Sequence, residues 1–353
     1  MTSDTIKEAL KQVKYPGYSR DIVSFGLIKD ISAENGAIAI VIELTGGNPE
    51  IGQQIKRESE QVLRTIPDAK HVYVDVRIPE GSRSAAAQTQ AQPQSGPTPN
   101  RVAGIKRVVA VASGKGGVGK STVSANLACA LTQLGLKIGL LDCDIYGPSI
   151  PLMMGVKERP SLSASEKLIP LENHGVKLMS MGFLLEDDQP VIWRGPMIMK
   201  TIQQFITSVE WGELDILLVD LPPGTGDAQL SLCQTVPLDG GVVVTTPQEA
   251  SLGVVRKGIN MFRKVNVPIL GIVENMSYFT TPQGDRIEIF GNGGGQDEAA
   301  RQNTAFLGDV PIFQEIRQGG DEGIPVVAQA PEGAPAQSFI KVAKTVQSEL
   351  EKL

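Results

Sequence analysis

Cysteine and histidine are scarce in this chain. Three cysteines (Cys129, Cys143, Cys233) and two histidines (His71, His174) are spread through 353 residues. The spacing excludes a disulfide framework and a C-x-x-C metal site. Neither histidine has an acidic partner at short spacing, which sets aside histidine-based catalysis and zinc binding. Cys129, in the apolar run Leu127 to Leu131, reads as a small core residue, and so does Cys233. Cys143, between two acidic residues, is expected to be partly exposed. Long apolar runs are also missing. Nothing approaches the roughly 18 uninterrupted apolar residues of a membrane span, and Met1 to Val13 has no apolar signal-peptide region. Nor is there a basic surplus: 33 Lys and Arg stand against 39 Asp and Glu, a net charge of -6. Nucleic-acid binding through bulk charge is thereby disfavoured. These absences lead us to expect a soluble, cytoplasmic protein with neither a membrane nor a nucleic-acid partner. The length leads us to expect one large domain and a smaller one.

The smaller domain is expected over residues 1–80. Ile6, Leu10 and Val13 recur at helical spacing over 4–14, and Pro16-Gly17 stops the helix. Strands are expected over 22–33 and 36–44, joined at Glu34-Asn35-Gly36, a hairpin turn signal. A helix follows over 50–65 with Ile51, Ile55, Val62 and Leu63 on one face, then a third strand over 71–78. Residues 81–104, rich in Ala, Gln, Pro, Ser and Gly without apolar periodicity, read as a flexible linker.

From Ile105 the pattern becomes apolar strands alternating with helices: 105–113, 137–142, 176–179, 216–219, 241–245 and 269–273. That order implies an α/β fold with a mostly parallel sheet covered by helices on both faces, over 105–353. The closing stretch places Phe339, Val342, Val346 and Leu350 on one face of a docking helix.

The chemistry is concentrated where these strands end. Gly114-Lys115-Gly116-Gly117-Val118-Gly119-Lys120-Ser121 fits G-x-x-x-x-G-K-[ST], directly after a strand and before a helix. Glycines let successive backbone N–H groups turn inward around phosphate oxygens, with the helix N-terminus adding its positive end. Lys120 then serves the β- and γ-phosphates, and Ser121 is a hydroxyl ligand for Mg²⁺. Asp142 and Asp144 leave one strand, and Asp220 leaves another after a run of aliphatic residues, as a Walker B aspartate does. Asp220 and Asp142 are the candidates near the metal, and Asp144 the candidate for orienting the attacking water. The expected cofactors are ATP and Mg²⁺.

With Lys115 directly after the first glycine, the loop resembles the deviant Walker A of MinD/ParA/NifH-like P-loop ATPases. The resemblance implies a homodimer closing on two ATP molecules, with Lys115 of one subunit reaching the phosphates held by the other. Asp142 to Ser149, Trp193 to Met197, Asp220 to Asp227 and Asn275 to Phe279 are similar to the Mrp/NBP35 branch, whose members carry or scaffold iron-sulfur clusters. That resemblance makes Gly114, Lys115, Gly116, Gly117, Val118, Gly119, Lys120, Ser121 and Thr122 the phosphate-binding set and Asp144 a switch I residue. It makes Asp220 to Asp227 Walker B and switch II, and brings Pro247, Gln248, Glu249 and Asn275 to the adenine. The small domain resembles the MIP18-like (DUF59) domain, with Asn48 where that family often has a cysteine.

The resemblance also implies a bridging [4Fe-4S] cluster held by a C-P-x-C motif after Asn275 to Phe279. Here Thr281 and Gly284 occupy the two cysteine positions, and neither can supply a thiolate. The leading expectation is therefore an ATP-hydrolysing homodimer that binds or transfers clusters to iron-sulfur apoproteins or works with assembly proteins. Two alternatives stay open: a MinD/ParA-like regulatory or positioning ATPase switch without a cluster, and a non-catalytic ATP-dependent binding module.

Overall fold

The computed structural model describes residues 3–16, 20–34, 37–44, 49–66, 71–77, 102–145, 147–184 and 195–353. The chain divides into two compact units, Met1–Gln94 and Ser95–Leu353. Asn35, Gly36, Asn48, Trp193, Arg194 and nearly all of the expected linker lie outside the described residues.

The first unit contains α1 (Ser3–Leu10), β1 (Ile28–Glu34), β2 (Ala37–Glu43), α2 (Pro49–Leu63) and β3 (His71–Arg77). Its sheet runs β1-β2-β3, with β1 antiparallel and β3 parallel to β2. Ile38, Ile40 and Ile42 are buried at period two, as a strand with one core-facing side requires. Ile55 and Leu63 of α2 close over them. The first strand starts at Ile28 rather than 22. Asp21 accepts hydrogen bonds from both the backbone N–H and the hydroxyl of Ser24 at 2.7 Å, and Gly26 has φ +70°. That side-chain-closed turn keeps residues 21–26 out of the ladder, which begins where the Leu27 carbonyl accepts the Glu43 N–H at 2.8 Å.

The second unit contains β4 (Ile105–Ser113), α3 (Lys120–Gln133), β5 (Ile138–Asp142), α4 (Ile150–Met153), β6 (Leu171–Asn173), β7 (Val176–Ser180), α5 (Gly195–Thr207) and β8 (Leu214–Asp220). Then come α6 (Asp227–Thr235), β9 (Gly240–Thr245), α7 (Glu249–Lys264), β10 (Ile269–Thr280), β11 (Arg286–Ile287), α8 (Gly294–Arg301), β12 (Phe306–Ile312), α9 (Gln314–Glu322), α10 (Val326–Gln329) and α11 (Ala334–Glu351). The sheet order is β11-β10-β9-β4-β8-β5-β7-β6, with β12 also on β10. Among the described strands of this sheet, only β6 and β11 run antiparallel to their neighbours.

Both faces of this sheet are covered, and β4 shows how. Val109 and Val111 join a core with Leu127 and Leu131 of α3 and Phe339 and Val342 of α11. Val108, Ala110 and Ala112 join another with Phe205 of α5 and Ile259 and Phe262 of α7. Alternate side chains of one strand thus feed opposite layers, the arrangement a buried parallel sheet needs. Phe339, Val342, Val346 and Leu350 of α11 are all buried. Among the described residues no helix is long and apolar enough to cross a membrane.

Candidate functional site

Parallel pairing brings the carboxyl ends of β4, β5 and β8 together, because Val111 stands opposite Asp220 and Asp220 opposite Asp142. The glycine-rich turn leaves β4 at this edge and enters α3 at Lys120. Its glycines have separate reasons. Gly117 and Gly119 both have φ +80°, a conformation that penalises any side chain. A Cβ on Gly114 would come within 2.7 Å of the Val254 backbone in α7. A Cβ on Gly119 would collide with the Asn275 amide, whereas one on Gly116 meets nothing within 4 Å.

Asp220 is the centre of the polar contacts. Its Oδ2 accepts from Lys120 Nζ at 2.5 Å and from Ser121 Oγ at 2.7 Å, and its Oδ1 accepts from Ser124 Oγ at 2.5 Å. Lys120 and Asp220 are both buried. Asp142 is buried beside them; its Oδ1 accepts the Asp144 N–H and its Oδ2 the Ser180 hydroxyl, each at 3.0 Å. Burial first, and the neighbouring Asp220 carboxylate second, raise the Asp142 pKa to about 7 against the pull of those two donors and Lys120. The donors gathered here are hard oxygens, from Ser121, Asp142 and Asp220, the type Mg²⁺ accepts. Asp144 is at the rim, 9% exposed, and its Oδ1 accepts the Gly147 N–H at 3.2 Å.

Lys115 is half-buried, and its main-chain carbonyl accepts Ser113 Oγ at 3.0 Å. Val118 is buried at the back of the loop, where its carbonyl accepts the Asn275 amide at 2.8 Å. Thr122 lies one residue further into α3, its carbonyl accepting the Asn126 amide. Pro247 is buried, Gln248 is half-buried at the start of α7, and Glu249 is exposed.

Ser124 and Ser180 were not among the residues singled out from the sequence. Ser124 follows Ser121 by three positions in α3, so helical spacing alone puts both hydroxyls on one face. Ser180 has no comparable sequence signal, since it reaches Asp142 only through the register of β7 on β5. Cys143, expected to be partly exposed, is instead 1% exposed. It continues the strand path, its N–H donating to the Asp220 carbonyl at 2.9 Å, and burial pushes its thiol well up. Cys129 and Cys233 are buried as well, with burial raising each to about 12.

Thr281 and Gly284 close the turn between β10 and β11. The Gly284 N–H donates to the Thr281 carbonyl at 2.9 Å, and the Asp285 N–H to Thr281 Oγ1 at 3.1 Å. Gly284 has φ +93°. Among the described residues no group of three or more His, Cys, Asp or Glu side chains is placed to hold a metal ion.

A parallel sheet with a glycine-rich loop, lysine and serine opposite a strand-end aspartate defines a P-loop NTPase. Residues 104–347 match the family described as NUBPL iron-transfer P-loop NTPase, and residues 3–76 match the family described as iron-sulfur cluster assembly protein. The chain therefore belongs to the Mrp/NBP35 family of P-loop ATPases, with an N-terminal iron-sulfur assembly domain. It is 43% identical to an iron-sulfur cluster carrier protein of Synechocystis sp., over 98% of this chain and 97% of the relative. It is 40% identical to an iron-sulfur cluster carrier protein of Helicobacter pylori, over 100% of this chain and 94% of the relative. A nucleotide-binding protein of Archaeoglobus fulgidus solved with ADP is 40% identical, with a TM-score of 0.59 over 67% of this chain and 92% of that one.

The loop geometry separates two glycines that look alike in sequence. Gly119→Ala is expected to lower the melting temperature of the second unit by roughly 4–8 °C, from a backbone-strain cost on the order of 2 kcal/mol. Gly116→Ala is expected to leave it unchanged. Thermal unfolding followed by tryptophan fluorescence reads this unit, because both tryptophans, Trp193 and Trp211, lie within it. Equal shifts for the two variants would contradict the geometry.

Proposed function

We propose that this chain is a cytoplasmic, homodimeric ATPase that transfers iron-sulfur clusters to apoproteins and takes the cluster thiolates from its partner rather than from its own hairpin. The observation that carries the ATPase half is Asp220, which gathers Lys120, Ser121 and Ser124 at the mouth of the glycine loop. The loop N–H groups and the start of α3 receive the phosphates, and Lys120 balances their charge. Ser121 and Asp220, with Asp142 behind them, would hold Mg²⁺, which when bound neutralises charge developing on the phosphates. Asp144, at the rim, orients the attacking water. Lys115 is half-buried in a loop whose other lysine is already engaged by Asp220, which suits it to serve the partner subunit's phosphates. Pro247, Gln248, Glu249 and Asn275 border the base. One hydrogen of the Asn275 amide is committed to Val118, which leaves its second N–H and its carbonyl oxygen for the base.

The cluster half rests on the family and on the state of the thiols. The relatives are named as iron-sulfur cluster carrier proteins along their full length. In this chain all three cysteines are buried, with their thiols raised, and the hairpin positions are Thr281 and Gly284. Cluster iron takes thiolate ligands, not buried thiols or a glycine. The cargo's thiolates therefore come from the protein that delivers or receives it.

Two outcomes check this reading. Lys115→Ala is expected to keep ATP binding but lose turnover by about 10³-fold or more, the scale of a charge supplied in trans. Steady-state hydrolysis and calorimetric ATP titration measure the two quantities separately, and unimpaired turnover would remove the trans role. After anaerobic reconstitution with iron and sulfide, the native chain is expected to hold no stoichiometric iron. Thr281→Cys with Gly284→Cys should gain charge-transfer absorbance and about four irons per dimer. Stoichiometric iron on the native chain would place the ligands within it.

A further inference from the structure

A cleft of about 660 Å³ opens between α6 and α7, lined by none of the glycine-loop residues. Its floor is apolar, from half-buried Leu230 on α6 and Met261, 5% exposed, on α7. Its rim is cationic: Lys257, Arg263 and Lys264 all line it and all are exposed. Lys257, Asn260, Met261 and Lys264 recur at i, i+3, i+4 and i+7, one continuous face of α7.

The charges are uncompensated locally. None of the three cations forms an ion pair among the described residues, although the chain as a whole has a net charge of -6. The other cation of α7, Arg256, is taken by fully buried Glu298 at 3.0 Å. Arg263 is already oriented, donating to the Gln302 side chain at 2.9 Å and to its backbone carbonyl at 2.7 Å. Arg263 and Lys264 also complement the C-terminal end of α7, a sufficient structural reason for cations in that last turn. Lys257 sits two turns earlier, where that reason does not reach.

We infer that this cleft is a docking site for an acidic segment of a partner protein, with an apolar side chain on Leu230 and Met261 and carboxylates on the three cations. Several points fix the class of occupant. The mouth is open and larger than one side chain requires, an apolar floor favours an aliphatic or aromatic anchor, and the Asn260 amide offers both a donor and an acceptor to an extended backbone. Rim cations steer an acidic partner and set its association rate. The far wall is Thr225 and Gly226, the continuation of the segment that begins at Asp220. That segment is tied back to the end of β4, directly before the glycine loop, through the Gly224 N–H, which donates to the Ser113 carbonyl at 3.2 Å. A bound partner would thus touch the stretch that leads to the nucleotide site. The inference holds whatever cargo the chain carries.

A short fluorescein-labelled peptide of glutamate and aspartate with two leucines tests it by fluorescence anisotropy on the full chain. Saturable binding is expected, weakening as ionic strength rises through the range in which screening lengths fall below about 10 Å. Lys257→Glu with Lys264→Glu should weaken it by roughly tenfold or more. Lys341→Glu with Lys344→Glu makes the same charge change on exposed positions of α11 and should leave binding within about twofold. All four positions are exposed, so both variants should fold, and their melting curves verify it. No binding by the native chain, or equal loss in the two variants, would overturn the site. An oligonucleotide that displaces the peptide and binds more tightly would overturn it in favour of nucleic acid.

Discussion

Lys120, Ser121 and Ser124 all converge on one carboxylate, Asp220, at the end of a buried strand. A buried carboxylate is costly unless it is paired and hydrogen-bonded, and here three donors from the first five residues of α3 meet that need. The contact therefore does two things. It fixes where α3 begins relative to β8, and so where the glycine loop that leads from β4 into α3 must end, and it holds the cation at the place where phosphate charge would arrive. Asp142, directly opposite across the ladder, shares the same cation. Two carboxylates thus stand beside one lysine, and the Asp142 pKa is raised by burial first and by the Asp220 carboxylate second.

The same logic extends along β10. Asn275 supports the loop from behind through Val118 and fills the space that a side chain on Gly119 would need. Beyond it Met276 adopts φ +57° and the strand continues into the hairpin that Thr281 closes. On the return, Gly294 packs on the Pro247 carbonyl, and the Gly295 N–H donates to buried Glu274 at 2.5 Å. Burial raises Glu274 above the usual carboxylate range, with that N–H opposing. Both ends of the hairpin thus rest on elements that flank the nucleotide site, so its position follows from theirs. Within the hairpin, Thr281 closes the turn through its carbonyl and hydroxyl, and Gly284 takes the left-handed φ of +93° that glycine adopts readily.

What could be read from the amino acids followed the strength of local signals. Continuous aliphatic runs such as Ile216 to Val219 can only be buried strands in an alternating α/β pattern, and the glycine loop announces itself by composition and spacing. Asp142, Asp144 and Asp220 were legible because a charge ending an apolar run is a rare juxtaposition. Ser124 and Ser180 were not, because serine is common and each gains its role only from register across the sheet. The strand Phe306–Ile312 was missed for a similar reason: Gly308, Asp309 and Pro311 interrupt its apolar pattern, and pairing with β10 overrides that local weakness. The burial of Cys143 depends on strand geometry that flanking aspartates conceal. The cleft on α7 required the apposition of two helices, which no stretch of sequence contains.

The most direct measurement of the central role given to Asp220 is the magnesium dependence of ATP binding in Asp220→Asn, which keeps the shape and removes the charge. Calorimetric titration with ATP is expected to show binding in EDTA retained, since the loop and Lys120 remain, while the gain in affinity on adding Mg²⁺ disappears. An undiminished gain would mean that the cation is held elsewhere and that Asp220 serves only to anchor α3.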